Sequence, residues 1–153
     1  LDCHIAYPTA LNHEGVLYRA NTLNDKWDIF LMDDHVYFSR SLSGELVFRS
    51  HVSKMNNKFI IDSIEYAQSD IFYDEPELAI SYVHFLLLSH VMNLILPHTI
   101  PMILNDLDTM GIALFSYNQF GRKCWFASKE NILDLNKHNL AGNEDCGVEA
   151  DKS

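Results

Sequence analysis

From Phe59 through Gly121 the chain contains no lysine or arginine, although it is 153 residues long. Over the whole sequence 11 basic residues face 21 acidic ones, a formal charge of -10. That balance repels phosphate backbones and anionic headgroups, which argues against nucleic acid and membrane surfaces as partners. Cysteine is equally sparse. Cys3, Cys124 and Cys146 are an odd number with no C-x-x-C spacing, so neither a disulfide framework nor a zinc cluster is expected, and reduced thiols suggest a cytoplasmic setting. The six glycines stand singly and form no phosphate-cradling loop, and no serine sits in a G-x-S-x-G elbow. No internal repeat or low-complexity linker appears.

What remains is an ordinary globular composition, 48% hydrophobic with a mean hydropathy of -0.08, which is enough to bury a core without cofactor, metal or disulfide. The first fifteen residues, with Pro8 and Gly15, read as an irregular arm. Five runs rich in aromatic and β-branched residues follow, at 16–22, 27–33, 35–41, 45–52 and 58–66. They are separated by turn formers such as Asn24-Asp25, Asp33-Asp34, Ser43-Gly44 and Asn56-Asn57. Links this short join only antiparallel neighbours, so a β-meander is predicted, with Arg40 opposite Glu45 across the Ser43-Gly44 turn. One face reads as buried, and Phe30, Met32, Tyr37 and Val47 suggest partial cover of the other.

Asp74-Glu75-Pro76-Glu77 has the pattern of a helix start, with Asp74 as N-cap and Glu77 at the capping-box position. The helix is expected to run to about Leu96, where Pro97 stops it. It is apolar nearly all round, but Ser81, His84, Ser89, His90 and Asn93 interrupt it and no basic residue flanks it, so a buried soluble helix is the reading rather than a membrane span. Thr99 to Met110 allows a second short helix stopped by Gly111, and 112–117 with 122–127 read as a β-hairpin. Ser128 caps a helix to about His138, and an acidic disordered tail covers 141–153. The expected fold is a single α+β domain over residues 1–140, its six- or seven-stranded sheet curved around the long helix.

The sequence offers two places to look for function. Asp62, Glu65, Asp70, Asp74, Glu75, Glu77, Asp106 and Asp108 are the eight acids of the stretch without a cation. Their leading interpretation is a surface that docks on a basic protein partner, as an inhibitor- or immunity-like module does. The alternative is a ligand pocket or cavity enzyme between sheet and helix, with His84 or His90 facing Trp27, Tyr37 and Phe48. The eight histidines suggest no metal site: His84 and His90, six apart on a helix, lie about 120° apart around the axis and cannot chelate one ion. No acid, base or nucleophile stands at a spacing that presents it to a second catalytic group, so no enzymatic activity is expected.

Overall fold

The computed structural model describes residues 1–11, 14–68, 75–104, 106–124 and 126–128. Six strands form one antiparallel sheet: β1 (Asp2–Tyr7), β2 (Gly15–Tyr18), β3 (Trp27–Met32), β4 (His35–Arg40), β5 (Leu46–Met55) and β6 (Lys58–Tyr66), in the order β1-β6-β5-β4-β3-β2. The meander arises as its short links require. Asp33 and Asp34, both left-handed with φ of 50° and 61°, make the two-residue turn whose twist matches the strands it joins, and Asn56 at 54° serves the β5–β6 turn. The N-terminal arm is a correction to the sequence reading. It contains an edge strand, β1, which adds to β6 through Ile5, Ala6 and Tyr7 opposite Ile61, Ile60 and Phe59. Only the far side of β6 could reveal that pairing, because β1 itself carries no turn signal.

Strand alternation sorts the sheet into two faces. Trp27, Ile29, Leu31, Val36, Phe38 and Phe48 point to one side and are buried to 1% exposure or less. A helical segment packs there, α1 (Glu77–Leu86) continued by a π-helical turn (Leu87–Val91). Every residue from Leu78 to His90 is buried, because the sheet covers one side and later chain covers the other. Phe48 meets Tyr82 at 6.4 Å on the sheet side, while Phe85 meets Phe120 at 4.6 Å and His98 at 5.4 Å on the far side. That two-sided grip accounts for the all-round apolar composition. The helix is shorter than expected, since Asn93 at φ 58° ends it before Pro97 can.

The predicted hairpin is replaced by a helix. α2 (Thr109–Phe120) starts at Asp108, whose side chain accepts the Gly111 N–H at 2.7 Å, so Gly111 lies in the first turn instead of stopping a preceding helix. Its buried residues, Ser116 and Phe120, are four apart, a helical spacing that an apolar-rich run reads equally well as strand. Among the described residues a 3-10 turn, Met102–Leu104, stands within the stretch of the predicted short helix. β7 (Pro97–Thr99) and β8 (Phe126–Ser128) pair in parallel, with α2 as the crossover that a parallel pair needs. The predicted C-terminal helix and tail lie outside the described residues. The architecture is α+β, and no described helix is long and apolar enough to cross a membrane.

Leu87 is fully buried and Val91 half-buried against the core. Leu87→Ala should cost about 3 kcal/mol from lost transfer energy and the cavity left behind, read as a lower urea midpoint with an unchanged slope. A cost below about 1 kcal/mol would mean that the site collapses around the smaller residue.

Candidate functional site

The second face of the sheet is open to solvent and holds side chains in cross-strand rows. Val16, Phe30, Tyr37, Arg49 and Glu65 are successive register partners across five strands. Phe30 and Tyr37 stack with centroids 5.0 Å apart and planes 9° from parallel, while Val16 is 52% exposed beside them. Arg49 donates from Nε to Glu65 Oε2 at 2.9 Å and also reaches that oxygen through Nη2, which holds the guanidinium pKa up. The next row is Met32, His35, His51 and Ser63. His35 and His51 meet edge to face at 5.1 Å. The ring contacts and side-chain hydrogen bonds of this face run from strand to strand.

A β-bulge between His51 and Val52 brings Asp62 to this row. Its Oδ1 lies 2.8 Å from His51 Nδ1, and its Oδ2 accepts from Ser53 Oγ at 2.7 Å. The Ser53 hydroxyl first, and then His51, hold the Asp62 carboxyl below the usual range against a desolvation effect in the other direction. An ionised carboxylate only accepts, so His51 donates this hydrogen bond from Nδ1, and in the neutral ring of that tautomer the lone pair lies on Nε2. His35 Nδ1 lies 3.0 Å from the Asp33 carbonyl, which also can only accept, so here too Nδ1 is the donor. An acid and a base therefore do converge here, which the sequence reading did not anticipate. Ser53 donates to the carboxylate and not to the imidazole, so the set lacks the nucleophile-to-base bond of a catalytic triad.

The eight acids divide among several places. Asp62 and Glu65 sit on the open face, each with a partner. Glu75 accepts the Met102 N–H at 2.6 Å, Glu77 opens the first turn of α1, and Asp108 caps α2. Asp106 is exposed, and Asp70 and Asp74 lie outside the described residues. Arg49, from before the cation-free stretch, neutralises Glu65 from the neighbouring strand.

The five residues of the alternative pocket do not line one cavity. Trp27 and Phe48 stack at 5.8 Å in the core, whereas Tyr37 points out from the opposite face. His84 is fully buried with its Nδ1 2.5 Å from the Tyr7 hydroxyl. His90 meets Ser89 Oγ at 2.7 Å and the Tyr18 ring at 4.8 Å. A cleft of about 390 Å³ lies instead past the end of the π turn, lined by Asn93, Leu94, Ile95, Arg122 and Lys123.

One structural centre was hidden in the sequence by its resemblance to a turn. The Asp25 carboxylate is buried and accepts from Tyr18 Oη at 2.8 Å, Arg122 Nε at 2.6 Å and the Asn21 N–H at 2.9 Å. Burial alone would raise its pKa, but the Asn21 N–H, the Tyr18 hydroxyl and the Arg122 guanidinium together bring it below the ordinary value. Arg40, the expected partner of Glu45, keeps the register through its N–H to the Glu45 carbonyl at 2.8 Å. Its guanidinium crosses to the end of α2 and donates to the carbonyls of Gln119 at 2.9 Å and Asn118 at 2.7 Å. The chain matches no protein-family model, no curated protein and no solved structure.

Proposed function

We propose that this domain is a non-enzymatic protein-binding module that docks on a basic partner through the open face of its sheet. The observation that carries the reading is the asymmetry of the sheet, with the helices packed against one face and an apolar row of Val16, Phe30 and Tyr37 on the other. That row continues into the Arg49–Glu65 ion pair, and Asp62 lies in the row beside it. An apolar centre with a charged rim is the anatomy of a protein interface, and the net charge of -10 favours a basic partner through faster encounter. The unpaired Cys3 and Cys124 accord with a cytoplasmic setting.

A photo-crosslinking residue in place of Tyr37, compared with one in place of the 86% exposed Leu42, tests this in cells. The Tyr37 probe should capture a basic protein that the Leu42 probe does not, and Asp62→Lys combined with Glu65→Lys should abolish capture. Equal labelling from both positions, or capture of a second copy of this chain, would overturn the proposal. Association with the captured protein should slow markedly between low and physiological salt.

A further inference from the structure

On the same face, but independently of any protein partner, we propose that His35 and His51, with Met32 beside them, bind a late first-row transition-metal ion, copper above all, through their two Nε2 atoms. The two histidines are direct register partners, and Met32 is the register partner of His35 on its other side. Directly opposed Cβ atoms lie about 4.5–5.5 Å apart, so the three side chains, each with a soft or borderline donor, are successive neighbours in one row.

The imidazoles are anchored through Nδ1, the arrangement that fixes a ring for binding metal through Nε2. Both Nδ1–H groups are engaged by oxygen acceptors, the Asp33 carbonyl at 3.0 Å and the Asp62 carboxylate at 2.8 Å. This is how metal-ligating histidines are oriented and made more basic by their surroundings, with Nε2 as the ligating atom of each neutral ring. The separation fits as well. With metal–nitrogen bonds of about 2.1 Å and a tetrahedral angle, two imidazole centres on one ion lie about 5.2 Å apart; here they are 5.1 Å apart.

The support is firm and the electrostatics are favourable. The turn joining Met32 to His35 has both of its central residues in the left-handed region, and Glu14 accepts the Asp33 N–H at 3.1 Å, which pins the tip. Asp62 beside His51 and Glu14 at the turn bring negative charge to the row. Among the described residues no three His, Cys, Asp or Glu side chains converge as a closed metal cage. Water would therefore complete the coordination, and the affinity belongs in the micromolar range rather than that of a structural zinc site. Two imidazoles and a thioether favour copper over zinc, both by donor softness and by the general order of divalent affinities.

Titrating Cu²⁺ into the full chain in a non-coordinating buffer, followed by electron paramagnetic resonance, should show one equivalent with coupling to two nitrogens. His35→Gln and His51→Gln should each weaken binding at least tenfold. Asp62→Asn, which touches no metal, should weaken it by about 10- to 100-fold. Met32→Leu should lower affinity for Ag⁺, a soft probe, and spare Zn²⁺. His4→Gln should change nothing. Circular dichroism of each surface variant establishes that it is folded. Copper affinity unchanged in the His35→Gln/His51→Gln double variant, or lost in His4→Gln, would place the ion elsewhere and overturn the proposal. Neither result bears on the protein-docking reading, which is tested by capture from position 37 and not by metal affinity.

Discussion

Gly121→Ala should lower stability by about 5 kcal/mol, enough to leave a marginally stable domain largely unfolded. Gly121 ends α2 with φ 66° and ψ -144°, a conformation that side chains avoid. A Cβ built there would lie 2.1 Å from the Asn24 carbonyl oxygen and 3.1 Å from Lys26 Cγ. Backbone cannot yield as a flexible side chain does, so either the end of α2 or the 21–26 loop must move. The loss would spread, because the Arg122 N–H bonds to that same Asn24 carbonyl at 2.9 Å and the Arg122 side chain anchors on Asp25. Gly44→Ala separates strain from clash: its φ is 73° but nothing lies within 4 Å, so only about 1 kcal/mol should be lost. Equal urea midpoints for the two variants would show that the α2 end relaxes freely and that its seat on the loop contributes little.

The second large effect is acid unfolding driven by core histidines. Burial, reinforced by the nearby Lys123 charge, pushes His90 down to about 3. Burial likewise pushes His98, which lies against Phe85 and Phe120, down to about 4. Both rings are therefore neutral in the folded state at pH values where an unfolded histidine, with a pKa of about 6.5, takes up a proton. Above about pH 6.5 neither state binds the extra protons and stability is unaffected. As pH falls below that value the unfolded chain gains up to two protons that the folded chain refuses, so stability drops by as much as about 3 kcal/mol per pH unit. The fall levels off only below about 4 for His98 and about 3 for His90. Urea midpoints measured at pH 7, 5.5 and 4.5 should decline steeply, and His98→Gln should roughly halve the slope. A midpoint constant from pH 7 to 5 would contradict the neutral, buried placement of both rings.

These rings also show how composition can mislead about function. Eight histidines in one chain invite a catalytic or metal reading, and the helix histidines, together with His98 of β7, fold into the apolar interior. The pair with chemistry available, His35 and His51, stands sixteen positions apart in sequence. Registry alone makes them neighbours. Asp62 joins them because a bulge turns it toward His51, and no sequence spacing encodes a bulge.

The sequence by itself determined the five-stranded meander, because turn formers separated β-rich runs by links too short for any parallel crossover. It also determined that 78–90 would be buried, because a stretch apolar all round has no face to offer water. It did not determine the helix over 109–120, where an apolar-rich run suits both periods and the Asp108 cap together with the seat of Phe120 on Phe85 decides. The addition of β1 to the free edge of β6 and the burial of Asp25 were likewise settled only in three dimensions. An edge strand is defined by the neighbour it meets, and the Asp25 carboxylate leaves water where the local Tyr18 and Asn21 donors are joined by Arg122 from far along the chain. The open face with its row of Met32, His35 and His51 belongs to the same class, since strand register is a property of the assembled sheet and not of any one strand.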